Sequence, residues 1–361
     1  MTIDALDSMM PGASRQRMTA EQRAWLAERL GGVRIGIAGA TGAVGREALA
    51  LLAEAGIPPD RVTASGSVGS AGVTIPYADD TLAVVSAEQL AGSHAVLLAT
   101  PASVSAELAP SLAGRGALVS DNSSALRARV PLVIPEINSS RIKASARIVA
   151  SPNCTTTIAL TAAEGIRTRF GISSIEIVSY QAISGAGAKA MHALISESAD
   201  VVAGTTVEAR WLAEPVAFNV FPHESEIDST TGLCAEERKF IDESARILGR
   251  QDLNAAATCV RVPTLRAHSV VLRIETALPC TRGSVIEALQ SSAGVALVHP
   301  GPTSLSATGH CTIQAGRPIV TPSIHTDGST VRMLVAGDQL LKGAAWNALQ
   351  NLAHLIALSA K

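Results

Sequence analysis

Short apolar runs and helix-length stretches alternate along the first part of the chain. Val33-Arg34-Ile35-Gly36-Ile37-Ala38 is β-like and leads through a glycine turn into a helical stretch over residues 46–55. Residues 61–65 form the next strand-like run. Residues 95–100 and 117–120 are apolar nearly throughout, as strands buried on both faces are, with a helical stretch over 103–112 between them. This alternation predicts an α/β fold with a doubly wound parallel sheet. Ile148-Val149-Ala150 reads as one more strand, brought to an end at Pro152. From about Ile158 the pattern becomes mixed. Residues 175–181 alternate as a half-buried strand, a sharp turn follows at 183–187, and residues 258–261 and 270–275 read as further strands. A helix carries Glu236-Glu237-Arg238-Lys239, and residues 337–347 open a final helix. The 361 residues suit two domains. Ahead of the first strand, residues 19–30 predict an amphipathic helix capped by Thr19, read as an accessory extension (1–32) outside the core.

Composition removes several function classes. The formal net charge is −2 and aromatic residues make up 2%, which argues against a polyanionic partner and against a stacking surface for nucleic acid. No apolar run has membrane-spanning length, and the charged N-terminal segment lacks the apolar stretch of a secretory signal. The five cysteines are odd in number, widely spaced and without a CxxC pair. Neither a disulfide framework nor a metal site is expected, and a reducing cytoplasm is the default.

Three stretches carry candidate chemistry. Gly39-Ala40-Thr41-Gly42-Ala43-Val44-Gly45 lies between a strand and a helix, the context in which a glycine turn cradles a pyrophosphate. The strand at 61–65 ends without an acidic residue for a ribose hydroxyl, and no arginine stands ready for a 2'-phosphate unless Arg46 or Arg61 swings in. The loop Gly66-Ser67-Val68-Gly69-Ser70-Ala71-Gly72 offers amides and hydroxyls to a phosphate, so cofactor choice is poorly specified. Asp121-Asn122-Ser123-Ser124-Ala125-Leu126-Arg127 is a polar loop at a strand's carboxyl end, and Arg127 is either an anion ligand or a solvated surface charge. Cys154, in Ser151-Pro152-Asn153-Cys154-Thr155, falls in the first turn of a predicted helix, where amides and the dipole stabilise a thiolate. The competing reading is an inert packing cysteine. Glu236 and Lys239, at i and i+3, also read as a plain surface ion pair.

Together these blocks resemble the aspartate-β-semialdehyde dehydrogenase family over about residues 33–361. The resemblance rests on the glycine turn, Asp121-Asn122-Ser123-Ser124 with Arg127, Pro152-Asn153-Cys154-Thr155-Thr156, and Gln181 with Ser184-Gly185-Ala186-Gly187. Glu236 with Lys239, Arg261-Val262-Pro263 with His268-Ser269, and Lys342-Gly343-Ala344-Ala345 complete it. It implies a Rossmann-type NADP-binding domain (33–153 and 338–361), an α+β catalytic and dimerisation domain (154–337), and a homodimer acting on a small substrate and phosphate. It further implies Cys154 as nucleophile through a thioester, His268 as general acid/base with an ordinary pKa near working pH, and Gln181 as the orienting residue. Arg261 would pair with the substrate α-carboxylate and Glu236 with its ammonium, while Arg127, Asn153 and Lys239 hold phosphate. The cofactor would meet Gly39, Thr41, Gly42, Ala43, Val44, Gly45, Ser70, Asn122, Ser184, Gly185 and Gln339, with NADP expected and NAD as the alternative.

The chain departs from the family pattern mainly on the cofactor side. Gly69 stands where an arginine is usual, Thr100-Pro101-Ala102-Ser103 replaces a glycine pair, Gln339 stands for an asparagine, and Leu341 precedes Lys342 where arginine is common. Val270-Val271 after Ser269 lacks the usual acidic residue. These departures raise a specialised paralogue as a second reading, and a non-redox cysteine acyltransferase or hydrolase as a third. A sister reductase of N-acetylglutamyl phosphate usually has glycine at the place of Asn153.

Overall fold

The computed structural model describes residues 16–70 and 72–359. Residues 1–15 of the expected extension and Ala71 of the expected phosphate loop lie outside the described residues. The chain divides into two compact units, Gln16–Asn153 with Leu340–Lys361, and Cys154–Gln339.

The first unit is built on a seven-stranded sheet. Its strands are β1 (Ile35–Ala38), β2 (Val62–Ser65), β3 (Thr74–Tyr77), β4 (Asp80–Val85), β5 (Ala95–Leu98), β6 (Leu118–Asp121) and β7 (Ile148–Ala150), in the order β3-β4-β2-β1-β5-β6-β7. All neighbours are parallel except β3 with β4. After β4 the chain crosses β1 to lay down β5, so the order reverses between β1 and β5, the place where such sheets open a crevice. Every residue of β1 and β5 is buried, which is why both read as unbroken apolar runs. Helices α2 (Ala43–Glu54) and α3 (Ala102–Gly114) follow β1 and β5. The β3–β4 hairpin was not anticipated, because four residues interrupted by Pro76 carry little strand signal.

The helix at the start of the described chain, α1 (Ala20–Leu30), is capped by Thr19 in a reciprocal capping box with Gln22. Its accessory status is corrected by its packing. Leu26 and Leu30, one turn apart, are fully buried, and Trp25 meets Trp346 edge-on at 6.0 Å between ring centroids. Arg17 reaches the buried Glu47 of α2 at 2.7 Å.

The unit is completed by the other end of the chain, a wide turn at Leu341–Ala345 and the final helix Trp346–Ser359. Lys342 is fully buried, and its ammonium donates to Glu136 at 2.6 Å, Gln350 at 2.9 Å and Asn347 at 3.3 Å. Burial works to raise the Glu136 carboxyl pKa, but the charge and hydrogen bond of Lys342 outweigh it and hold the group below its ordinary value. Asn347 donates to the Val133 carbonyl and the Ser151 hydroxyl, tying the last helix to the segment just ahead of Cys154.

The second unit carries a mixed seven-stranded sheet. Helix α4 (Cys154–Phe170) leads into β8 (Ser174–Gln181), helix α5 (Ala188–Val202) and β9 (Phe221–Pro222). Helix α6 (Ala235–Leu248), β10 (Asn254–Arg261), β11 (His268–Glu275) and helix α7 (Arg282–Gln290) come next, then β12 (Val295–Leu297), β13 (Ile313–Pro322) and β14 (Ser329–Gly337). The strand order is β12-β13-β14-β11-β8-β10-β9. β13 escaped the sequence pattern because Gly316 and Pro318 interrupt it, and its register with β14 shifts between Gly316 and Ile319. Asp338 and Gln339 belong to this unit: Asp338 forms a buried ion pair with Arg266 at 2.7 Å, and Gln339 accepts the Ala267 amide at 2.9 Å.

Candidate active site

Strand geometry gathers the site. β8 and β10 run parallel with Arg261 opposite Gln181, so both strands end together. β11 runs antiparallel to β8 with Ser269 opposite Tyr180, so it begins where they end, at His268. Side chains alternate across a strand, and Gln181, Arg261 and His268 all continue the buried face of their strands. Cys154 stands at the N-terminus of α4, where the helix dipole favours a thiolate. Its Sγ lies 3.5 Å from His268 Nε2. Cys259, by contrast, is buried on β10, and desolvation pushes its thiol up to about 12.

The tautomer of His268 is set by its other nitrogen. The Ala182 amide donates to Nδ1 at 3.0 Å, so that nitrogen holds a lone pair and the proton sits on Nε2, facing the sulfur. Burial, and after it the charge of Arg261, pushes this imidazole down to about 3. The expectation of an ordinary pKa near working pH is therefore corrected: His268 is neutral in the resting site and presents one N–H.

Gln181 is held by three acceptors. Its Nε2 donates to Thr155 Oγ1 at 3.1 Å, Ser179 Oγ at 3.3 Å and Glu236 Oε1 at 3.4 Å. Glu236, itself buried, pairs with Lys239 one turn along α6 at 3.1 Å. Lys239 thus faces Glu236, the ion pair that the i, i+3 spacing predicts. Arg261 is buried, and both ends of its fork meet Glu224, Nε at 3.0 Å and Nη2 at 2.8 Å. Nη2 also meets His223 Nε2 at 2.9 Å, and Nη1 donates to Gln181 Oε1 at 3.4 Å and the Ala182 carbonyl at 3.3 Å. A Cβ at position 185 would stand 3.0 Å from Arg261 Nη1, so Gly185 is the residue that fits beside that guanidinium. Gln339 donates to Ser184 Oγ.

The remaining expected residues lie in the first unit. Gly39 has φ +77°, and a Cβ there would come within 2.2 Å of the Ala99 carbonyl oxygen. A Cβ at Gly45 would come within 2.2 Å of the Gly39 oxygen. Gly42 caps α2 with no side chain, leaving the amides of its first turn, at Ala43, Val44 and Gly45, without a side-chain acceptor. That bare backbone fits a pyrophosphate. The Thr41 carbonyl accepts Arg46 Nε at 3.2 Å, and Arg61 donates to the Gly32 carbonyl at 2.9 Å, so both arginines weighed for a 2'-phosphate have local partners. Ser70 Oγ lies 3.2 Å from Ser67 Oγ, and open space surrounds Gly69. Arg127 donates to the Asn122 carbonyl at 3.3 Å, and Asn153 is buried just ahead of Cys154.

Glu224, His223, Thr155 and the Ala182 amide were not picked out from the sequence. Residues 218–223 carry no helix or strand period that would single out His223. Ala182 contributes through its backbone, which no residue type signals.

The class is that of the semialdehyde dehydrogenases, whose two domain profiles both match the chain. The profile described as "Semialdehyde dehydrogenase, NAD binding domain" matches residues 34–145, and "Semialdehyde dehydrogenase, dimerisation domain" matches 164–342. An aspartate-semialdehyde dehydrogenase of Synechocystis sp. is 38% identical over 327 residues, covering 88% of this chain and 96% of that protein. One of Bacillus subtilis is 33% identical over 341 residues, covering 88% and 96%. The crystal structure of aspartate semialdehyde dehydrogenase II complexed with ASA from Vibrio cholerae matches with TM-score 0.83 at 31% identity, covering 90% of this chain and 98% of that one. The chain belongs to the aspartate-semialdehyde dehydrogenase family.

Proposed function

We propose that the chain catalyses the reversible NADP-dependent reductive dephosphorylation of L-aspartyl 4-phosphate to L-aspartate 4-semialdehyde through a thioester on Cys154. The observation that carries this reading is the 3.5 Å approach of Cys154 to His268 at a helix N-terminus, with Gln181, Glu236 and Arg261 around it. In the oxidative direction Sγ bonds to the aldehyde carbon, and His268 Nε2–H is the donor for the oxygen that gains charge. The glycine turn from Gly39 to Gly45 would hold NADP, which would supply the hydride acceptor for this carbon. The thioester is then cleaved as a phosphate oxygen bonds to the acyl carbon and Sγ departs as thiolate.

The other residues bind and orient. Gln181 aligns the substrate against the sulfur, Arg261 takes its α-carboxylate and Glu236 its ammonium. Arg127, Asn153 and Lys239 hold phosphate. Gly39, Thr41, Gly42, Ala43, Val44 and Gly45 hold the dinucleotide pyrophosphate, with Ser70, Asn122, Ser184, Gly185 and Gln339 along its length. NADP is the expected dinucleotide and NAD the alternative. The active form is a homodimer, and the need for a free thiol suits the cytoplasm. No described helix is long and apolar enough to cross a membrane.

The test is direct. Purified protein supplied with L-aspartate 4-semialdehyde and NADP should form NADPH continuously only when phosphate is present, and without phosphate no more than one NADPH per Cys154. No product with either NADP or NAD would overturn the assignment.

A further inference from the structure

The fork of Arg261 is already filled from within the chain. Its five N–H donors meet Glu224 twice, His223, Gln181 and the Ala182 carbonyl, and the guanidinium side chain is 5% exposed. Glu224 occupies the fork as an incoming planar carboxylate would, with two parallel bonds of 3.0 and 2.8 Å. Its own side chain is 24% exposed, so one edge already faces solvent. The flanking residues are held: the His223 amide donates to the Cys259 carbonyl at 3.0 Å, and the Ser225 side-chain Oγ accepts the Glu236 amide at 3.2 Å. A change at this place is therefore a rotation of the Glu224 side chain rather than a movement of the loop.

We infer that Glu224 is a specificity-determining residue, an internal competitor that sits in the carboxylate berth of Arg261 and must be displaced by the substrate's own carboxylate. The inference rests on the proposed role of Arg261. Exchanging one carboxylate for another on the same fork gains little, because the bonds made replace bonds of the same kind. Apparent affinity falls by the fraction of time the berth stands open. The effect belongs to binding and so to KM, with kcat changing less.

Glu224→Gln keeps the shape and removes the charge, so the berth opens more often. KM for L-aspartate 4-semialdehyde should fall about tenfold, the equivalent of about 1.4 kcal/mol, and Glu224→Ala should lower it in the same direction. An unchanged or higher KM in both variants would overturn the inference. If wild type turns over no semialdehyde, that result counts against the proposed reaction, and Glu224 is judged instead by protection of Cys154 from iodoacetamide. L-aspartate should then half-protect Glu224→Gln at about one tenth of the wild-type concentration. β-Alanine, which lacks the α-carboxylate, should show no difference between the two proteins. Equal behaviour with L-aspartate, including no protection of either protein, would remove the competitor.

Discussion

The two sheets differ in what the ends of their strands offer. At the end of β1 the groups on offer are backbone amides, and side chains are excluded, since a Cβ at Gly39 or Gly45 would come within 2.2 Å of a carbonyl oxygen. At the ends of β8 and β10 the groups are side chains, and each already holds another: Gln181 holds Thr155 and Glu236, Arg261 holds Glu224 and Gln181, and His268 faces Cys154. A backbone site is indifferent to most neighbouring side chains and is lost when a glycine gains a methyl. A side-chain site is preorganised by mutual hydrogen bonds, so changing one member disturbs the rest.

That contrast predicts where a substitution will be felt. Cys154→Ser should reduce NADPH formation below detection while NADP still binds, as calorimetry can follow, because the glycine turn does not depend on the sulfur. His268→Ala should lower kcat by about 10²–10⁴-fold with the same binding unchanged. Wild-type-like turnover in Cys154→Ser, or loss of dinucleotide binding in both variants, would break the separation. The buried Lys342–Glu136 pair of the first unit serves the fold instead. Removing one partner of the buried Lys342–Glu136 pair, as in Lys342→Met, should cost about 3–5 kcal/mol in urea unfolding.

Much of both ends was legible in the sequence, for different reasons. The glycine turn was readable because backbone cradles demand glycine at fixed spacing, and β1 and β5 were readable because strands buried on both faces are apolar throughout. Cys154 at the first turn of α4 followed from Pro152 ending one element and an apolar stretch opening the next. Glu224 was not legible, because pairing it with Arg261 requires two segments 37 positions apart to meet. The lowered pKa of His268 was equally hidden, since burial and the Arg261 charge act through space. The packing of α1 was missed because its buried stripe is short and its partner, Trp346, lies near the other end of the chain.

Smaller effects sharpen the contrast further. Position 69 has open space for a larger side chain, so Gly69→Arg should raise the preference for NADP over NAD by one to two decades in Kd. That follows from a charge-assisted contact being worth about 1.5–3 kcal/mol. Because His268 stays neutral until about pH 3, kcat/KM should show no limb from this residue near its ordinary value. The stability sign follows from the same depression. Below about pH 6.5 the unfolded chain takes up a proton that the folded site refuses, so stability falls as pH drops from there toward about 3. His268→Ala should lose less stability than wild type over that range in urea titrations.

The central claim is that Cys154 carries the acyl group between oxidation and phosphate attack. Mass spectrometry of protein incubated with L-aspartate 4-semialdehyde and NADP, without phosphate, measures it most directly. The account predicts an acyl adduct on the peptide containing Cys154 that disappears when phosphate is added. NADPH formation with no adduct there, or an adduct that phosphate does not discharge, would contradict it.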